Sequence, residues 1–287
     1  MREIEFVVPD QYDGVTLKGF LRSCVRLSAR QSAKLKRQNG ITRNGIKVIA
    51  PDLLKAGDCI LLRFPEDEKI PEPVSCNVPV VYEDEDLLIA DKPAFMPMYP
   101  CPGHDCDSLA NAVAFHQTVI KEKYAFRPVY RLDRDTTGLV LVAKNPFSAE
   151  KLSGSVRKTY FAVCEGVLKG SGIIDRPIGL KPGHTIQRAV ISDGIPAVTR
   201  WRAVRLMNGF SLVAVRLKTG RTHQIRVHFS SMGHPLAGDD MYGGSLDVIS
   251  RQALHCAEIR FRHPVTGKTM CFRSELPNDM QALCIKN

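Results

Sequence analysis

Between residues 15 and 50 the chain carries nine lysines and arginines and no aspartate or glutamate. From 65 to 77 it turns acidic and proline-rich (PEDEKIPEPVSCN). Such a stretch favours extended, solvated chain, so a reversal of charge across it marks a boundary between folding units. The expected organisation is a small basic unit at 1–70, a linker at 71–77 and a large unit at 78–287. The chain has 287 residues, 44% hydrophobic and 24% charged, which suffices for a sizeable core in the large unit.

The excess of basic residues extends to the whole chain, with a formal net charge of +10. Such a balance suits an acidic polymer, because lysine and arginine bound to phosphates release condensed counterions. The start MREIEFVVPD is mixed and charged, not a secretory apolar run. No apolar stretch approaches the roughly 20 residues needed to cross a bilayer. A cytoplasmic protein without membrane contact is expected. Its nine cysteines, an odd and scattered set, then read as free thiols. Cys101, His104 and Cys106 have the spacing of half a zinc site, but no matching second pair follows, so no metal is expected.

Within the small unit, Leu17, Phe20, Leu21 and Cys24 recur at helical spacing. Ser28 can cap a second helix, with Gln31 completing a capping box, and Asn39-Gly40 stops it. Asn44-Gly45 makes a tight hairpin turn, and Gly57-Asp58 turns the chain into a strand at Cys59–Phe64. Arg22, Arg26, Arg30 and Lys34 fall every four residues along these helices, with Lys36 and Arg37 beyond. A cationic ridge without acidic counterweight can track a phosphate backbone. The stretch resembles the S4 RNA-binding domain, which implies that Arg22, Arg26, Arg30, Lys34 and Arg37 contact structured RNA.

In the large unit, Asp107 or Ser108 can cap a helix running through His116. Leu139–Ala143 is an apolar strand, Pro146–Leu152 looks helical, and Tyr160–Val167 reads as a strand. Val198–Leu206 and Phe210–Leu217 form a hairpin through Asn208-Gly209. Thr222 opens a helix whose Ile225, Phe229 and Met232 share a face, and Gly233 ends it. Strands outnumber helices and no regular βαβ rhythm appears. The expected class is α+β, a mostly antiparallel mixed sheet with a small N-terminal S4-like unit.

Three clusters could carry chemistry. Tyr130-Arg131-Leu132-Asp133-Arg134-Asp135-Thr136-Thr137-Gly138-Leu139 sets two carboxylates next to two guanidinium groups, just before a buried strand. Nearby positive charge favours the ionised form, which suits a nucleophile or base rather than a proton donor. Gly220–His228 (GRTHQIRVH) opens a helix after a strand, where unpaired amides attract anions, with Arg226 one turn inside. Lys158 and Tyr160 share one side of a strand.

Taken in order, these clusters resemble the RluA family of pseudouridine synthases, in the subgroup with an S4 domain ahead of the catalytic domain. The family pattern RLD-x-x-T-S/T-G-L-x-x-x-A-K matches Arg131–Lys144, K-x-Y matches Lys158–Tyr160, and GRTHQIRVH matches Gly220–His228. Gly233-His234-Pro235, Gly238-Asp239, Leu254-His255, Phe261-x-His263-Pro264 and Asp91-Lys92-Pro93 fit as well. Tyr130 and Tyr99 stand where histidine is common. The resemblance implies a pseudouridine synthase-like fold and isomerisation of uridine in RNA without a cofactor. It makes Asp133 the essential carboxylate, Tyr160 the ring against the target base and a helper in moving its proton, and Arg226 the partner of Asp133. Arg131, Arg221 and His223, within the same motifs, are expected to contact RNA. Ribosomal RNA, of the large subunit, is favoured over transfer RNA by the S4-like unit, and a monomer is expected.

The expected chemistry starts with extrusion of the nucleotide, because uracil cannot detach, turn and rejoin through C5 inside a helix. Asp133 could stabilise positive charge on the sugar, attack it, or take a ribose proton. A glycosidase-like acid/base pair of Asp133 and Asp135 would need one protonated member, which Arg131 and Arg134 disfavour. A non-catalytic RNA binder has no use for Asp133, Tyr160 and Arg226 together. Gly267-Lys268-Thr269 echoes the end of a phosphate-binding loop, but Arg262 stands where its first glycine belongs.

Overall fold

The computed structural model describes residues 1–67 and 70–285, and counts of elements and contacts are of those residues. The basic unit contains β1 (Arg2–Val7), α1 (Leu17–Ser23), α2 (Ala29–Arg37), β2 (Ile41–Arg43), β3 (Ile46–Lys47) and β4 (Cys59–Phe64). Its strands form an antiparallel sheet in the order β1-β4-β2-β3. Thr16 caps α1 and Ser28 caps α2, each hydroxyl accepting an otherwise orphaned amide at 3.2 Å. Asn44 and Gly45 both take positive φ (52° and 81°), the mirror-image turn that joins right-twisted strands. Leu17, Phe20, Leu21, Leu35 and Leu62 close the core against the sheet.

Two expectations for this unit fail. Gln31 does not close a capping box; its Nε2 donates instead to the Pro146 carbonyl of the large unit, at 2.6 Å. Arg26 lies between the helices with φ 53°, so Arg22 and Arg26 do not continue into the row of Arg30 and Lys34. Arg22, Arg26, Arg30, Lys34 and Arg37 are nevertheless all exposed.

The large unit runs β5 (Val80–Glu83), β6 (Leu87–Lys92), α3 (Leu109–Ile120), β7 (Thr137–Ala143), α4 (Pro146–Leu152), β8 (Arg157–Glu165), β9 (Ser171–Asp175), β10 (Ile178–Leu180) and β11 (Arg188–Val190). There follow β12 (Val198–Met207), β13 (Phe210–Leu217), α5 (Gln224–Ser230), β14 (Leu254–Arg262), β15 (Thr269–Arg273) and α6 (Asn278–Ile285). The main sheet has the order β5-β6-β7-β14-β8-β13-β12-β9, with β15 beside β14 and β10-β11 as a separate ribbon. Its pairings are antiparallel except β7 with β14. This is an α+β fold with a mixed main sheet. Ser108 does cap α3, in a full capping box with Asn111, and the helix runs four residues beyond His116 to Ile120, where Lys121 ends it in the left-handed region (φ 57°).

β14 meets β7 over only two residue pairs before β15 takes over that edge. Gly138 makes the crossing possible: its φ is 110°, and a Cβ there would stand 2.4 Å from the Cys256 carbonyl oxygen. Alternation along β8 and β13 sends Tyr160, Ala162, Val213 and Val215 into the main core. Val163 and Leu212 point the other way, into a smaller core roofed by Met280 and Leu283 of α6.

The units are packed together rather than tethered. Phe147 of α4 is buried in the N-terminal core, 5.9 Å from the Phe6 ring and 6.1 Å from Phe64. Beside it Glu150 accepts from the Ser28 amide (2.5 Å) and hydroxyl (2.7 Å), while Lys151 donates to the Val25 carbonyl. Arg2 forks onto the buried Asp86 at 3.0 and 2.8 Å. Asp67, near the end of the small unit, also pairs with Arg127, and in the expected linker the Glu72 carbonyl accepts from Asn111 and Cys76 packs on the core. Glu68 and Lys69, within the acidic stretch, lie outside the described residues.

Candidate active site

Asp133 sits on the loop leading into β7, and that loop is pinned from beneath. Lys92, fully buried at the end of β6, donates to the carbonyls of Pro93 (2.9 Å), Met96 (2.8 Å) and Arg134 (2.8 Å). Arg251 donates to the Asp135 carbonyl at 3.2 Å, and is itself forked onto Asp279 of α6. Gln252 reaches the Thr136 hydroxyl at 3.3 Å. Burial pushes the Lys92 ammonium down to about 7, although only the protonated form has a donor for each of its three carbonyls.

With its backbone anchored, the loop presents the Asp133 carboxylate to a small cleft of about 60 Å³. Tyr160, Arg131, Arg221, His223 and Arg226 also line it. Arg226 Nη1 lies 3.4 Å from Asp133 Oδ2, and His223 Nε2 lies 4.0 Å from the same oxygen. The main hold on Arg226 is elsewhere. Its Nε and Nη2 fork onto the two oxygens of the wholly buried Asp239, both at 2.7 Å, and its guanidinium lies 4.9 Å from the Tyr242 ring centroid. A two-point fork fixes the plane of the guanidinium and so aims the remaining Nη1 at Asp133.

The backbone around His223 differs from the expected helix start. Thr222 does not open the helix; α5 begins at Gln224, after His223 in a left-handed conformation (φ 56°). Arg226 therefore lies in the first turn rather than beyond it. Left-handed backbone is unusual for a non-glycine residue, and here it turns the imidazole into the cleft, where Nδ1 hydrogen-bonds the Tyr242 hydroxyl at 2.7 Å. Burial lowers the His223 pKa against the opposing pull of Asp133. Burial, with Cys256 and Asp133 adding to it, raises the Tyr160 phenol far above its ordinary value, so Tyr160 stays protonated.

The three proposed catalytic side chains thus converge, with three of the expected RNA contacts at the rim. Arg134 does not join them, since it is forked onto Asp135 at 2.7 and 3.1 Å. Arg22, Arg26, Arg30, Lys34 and Arg37 belong to the other unit. The sequence reading assigned no role to Asp239, Lys92 or Tyr242; the first two lie inside the motifs quoted above, which was the only signal available. Cys101, His104 and Cys106 do not assemble a metal site among the described residues, and His104 is engaged with Asp107 at 2.7 Å. Asp84, Asp86 and His263 do cluster. Their carboxylate oxygens already accept from Tyr82, Arg2, Asn145 and the backbone, which suits a structural knot.

Residues 86–231 match the family described as RNA pseudouridylate synthase. The RNA pseudouridine synthase YjbO of Bacillus subtilis is 40% identical over 250 residues, spanning 84% of this chain and 88% of that protein. The ribosomal large subunit pseudouridine synthase D of Zymomonas mobilis is 33% identical over 303 residues, spanning 97% and 96%. Among solved structures, human RNA pseudouridylate synthase domain containing 1 is similar with a TM-score of 0.57 at 26% identity, over 69% of this chain and 83% of that one.

Proposed function

Because the chain belongs to the RNA pseudouridylate synthase family and is an RNA pseudouridine synthase, we propose that it uses Asp133 to isomerise an extruded uridine of large-subunit ribosomal RNA. The observation that carries this reading is the pairing of Asp133 Oδ2 with Arg226 Nη1 at 3.4 Å in a cleft that Tyr160 also lines. The choice of RNA is supported by relatives of 33–40% identity whose names specify the ribosomal large subunit.

The reaction breaks the bond from ribose C1′ to uracil N1, turns the base, joins C1′ to C5, releases the C5 proton and leaves N1 protonated, so that product and substrate are isomers. Extruding the nucleotide costs a few kcal/mol. Stacking on the Tyr160 ring offsets this by about 1–3 kcal/mol. The carboxylate then acts on the sugar, by sheltering positive charge, by adding to C1′ or by taking a ribose proton; all three routes need it ionised, the form that the facing Arg226 guanidinium favours. Tyr160, kept as a phenol, contributes its ring and a hydroxyl donor rather than a phenolate base. Arg131 and Arg221, both exposed at the rim, are placed to hold phosphates beside the flipped nucleotide.

Tritium release from RNA labelled at uridine C5 tests the assignment. Wild type should release label and Asp133→Asn should not, while both bind RNA alike. Equal release by the variant would remove Asp133 from the chemistry. Pseudouridine mapping in RNA from cells lacking the protein tests the substrate: missing sites should fall in large-subunit ribosomal RNA, and losses confined to transfer RNA would reject that choice.

A further inference from the structure

The main sheet has a second face. Tyr160, Val215 and Trp201 lie in register across β8, β13 and β12 on the cleft side, where Trp201 packs against Phe229 of α5. Their sequence neighbours Thr159, Arg216 and Arg200 are also in register and point the other way. α6 roofs one half of this reverse face. The other half is an open concavity of about 710 Å³. Five arginines line it, Arg200, Arg202, Arg216, Arg260 and Arg273, against a single acid, Glu258.

The placing of these charges is unfavourable to the fold alone. Arg200 stands directly opposite Arg216, and Arg260 directly opposite Arg157. Like charges facing each other across strands destabilise a sheet. Glu258 relieves only one side of the concavity, accepting from Arg260 and from Arg273 at 2.8 Å each, and its pKa is lowered to about 2 by that pairing. Arg200, Arg202 and Arg216 have no ion pair among the described residues. The guanidinium of Arg216 is instead steadied by Thr159, with Nε donating to Oγ1 at 3.2 Å. Three exposed, unneutralised guanidinium groups, one of them oriented, are complementary to several anionic groups at once.

Geometry distinguishes a polymer from a small anion. The line from Arg200 through Arg216 and Thr159 to Glu258 and Arg273 crosses β12, β13, β8, β14 and β15. At about 4.8 Å per strand it is roughly 19 Å long. One phosphate would meet one or two of these groups, whereas a nucleic-acid backbone presents its charges at intervals of a few ångströms along such a row. Guanidinium groups also match phosphate oxygens in a fork. We propose that this reverse face is a second RNA-binding surface, which holds phosphates of the RNA outside the segment that enters the cleft. The proposal rests on the chain acting on RNA, not on the role of Asp133.

The test uses the full chain and the triple variant Arg200→Gln/Arg202→Gln/Arg216→Gln, none of which lines the cleft. Binding of protein-free large-subunit ribosomal RNA and of a short uridine-containing hairpin is measured across a salt series. On the long RNA the variant should bind roughly 10–100-fold more weakly, with the slope of log K against log salt reduced by about 2–3. Hairpin binding should not change. On C5-tritiated total RNA from cells lacking the enzyme, KM should rise while kcat holds. The corresponding triple lysine variant should restore binding. An unchanged salt slope, or equal losses on hairpin and long RNA, would overturn the proposal. Loss of binding to polyglutamate with the RNA slope intact would assign the face to an acidic protein, and would overturn it as well. Should the glutamine variant melt early, photo-cross-linking of wild type to the long RNA decides: cross-links at Arg200, Arg202 or Arg216, on the reverse face, are expected, and their absence overturns the proposal. A failure of the Asp133 assignment would instead appear as release of label by Asp133→Asn with these binding results intact.

Discussion

Arg226 divides its guanidinium between two carboxylates, two nitrogens for buried Asp239 and one for Asp133. Removing Asp239 would leave a buried cation without its partner, which typically destabilises by about 3–5 kcal/mol. Asp239→Ala should therefore lower both stability, read by urea denaturation, and kcat, because Nη1 loses its aim; a variant with wild-type values for both would show that the fork does not position Arg226. Lys92 gives a pH signature. Burial lowers it from 10.5 to about 7, so between those values the unfolded chain binds more protons than the folded one. Wild type should gain stability relative to Lys92→Met as pH rises through that window, with its full deficit below about 7. A difference independent of pH would reject the burial account. Asp133, Tyr160 and Arg226 could be singled out because each lies in a longer contiguous motif of charged or aromatic residues. Asp239 stands in a motif of only two residues, Gly238-Asp239, and what gives it a role is a partner thirteen positions away that the turn after α5 brings round.

At the scale of elements, α4 joins the two units. Its limits were legible, since Asn145 caps it, Pro146 starts it and the apolar spacing is local. Nothing local reveals that Phe147 belongs to the core of the other unit. Phe147→Ala should cost about 3–5 kcal/mol and separate the units, seen as new protease cleavage near residues 65–77; unchanged protection would mean that the polar contacts alone hold them. The same packing confounds any test of the N-terminal unit by deletion, which would expose Phe147 and strand Asp86 without Arg2. Charge reversal is cleaner. Arg30→Glu with Lys34→Glu, both exposed on α2, should raise KM on long RNA and leave kcat alone, and an unchanged KM would remove α2 from RNA binding. β9, β10 and β11 are three to five residues long, too short to show a period, and they acquire their partners only across the sheet.

The molecule as a whole combines local signals, which read well, with long-range pairing, which does not. The hairpin at Asn208-Gly209 and the one at Asn44-Gly45 follow from turn chemistry. The parallel contact of β7 with β14 joins segments more than a hundred residues apart and depends on Gly138 having no side chain. Gly138→Ala should accordingly be among the most damaging single substitutions, lowering the melting temperature and abolishing label release together; a well-folded, active variant would show that the strands can part there. The wedge of Phe147, with Glu150 and Lys151 beside it, has a last consequence. It joins the arginines of α2 to the body that holds the cleft, so an RNA gripped at both would be gauged as by calipers. Which uridine reaches Asp133 would then be decided by how far it lies from the gripped element, and lengthening the RNA between the two would move the modification to another nucleotide.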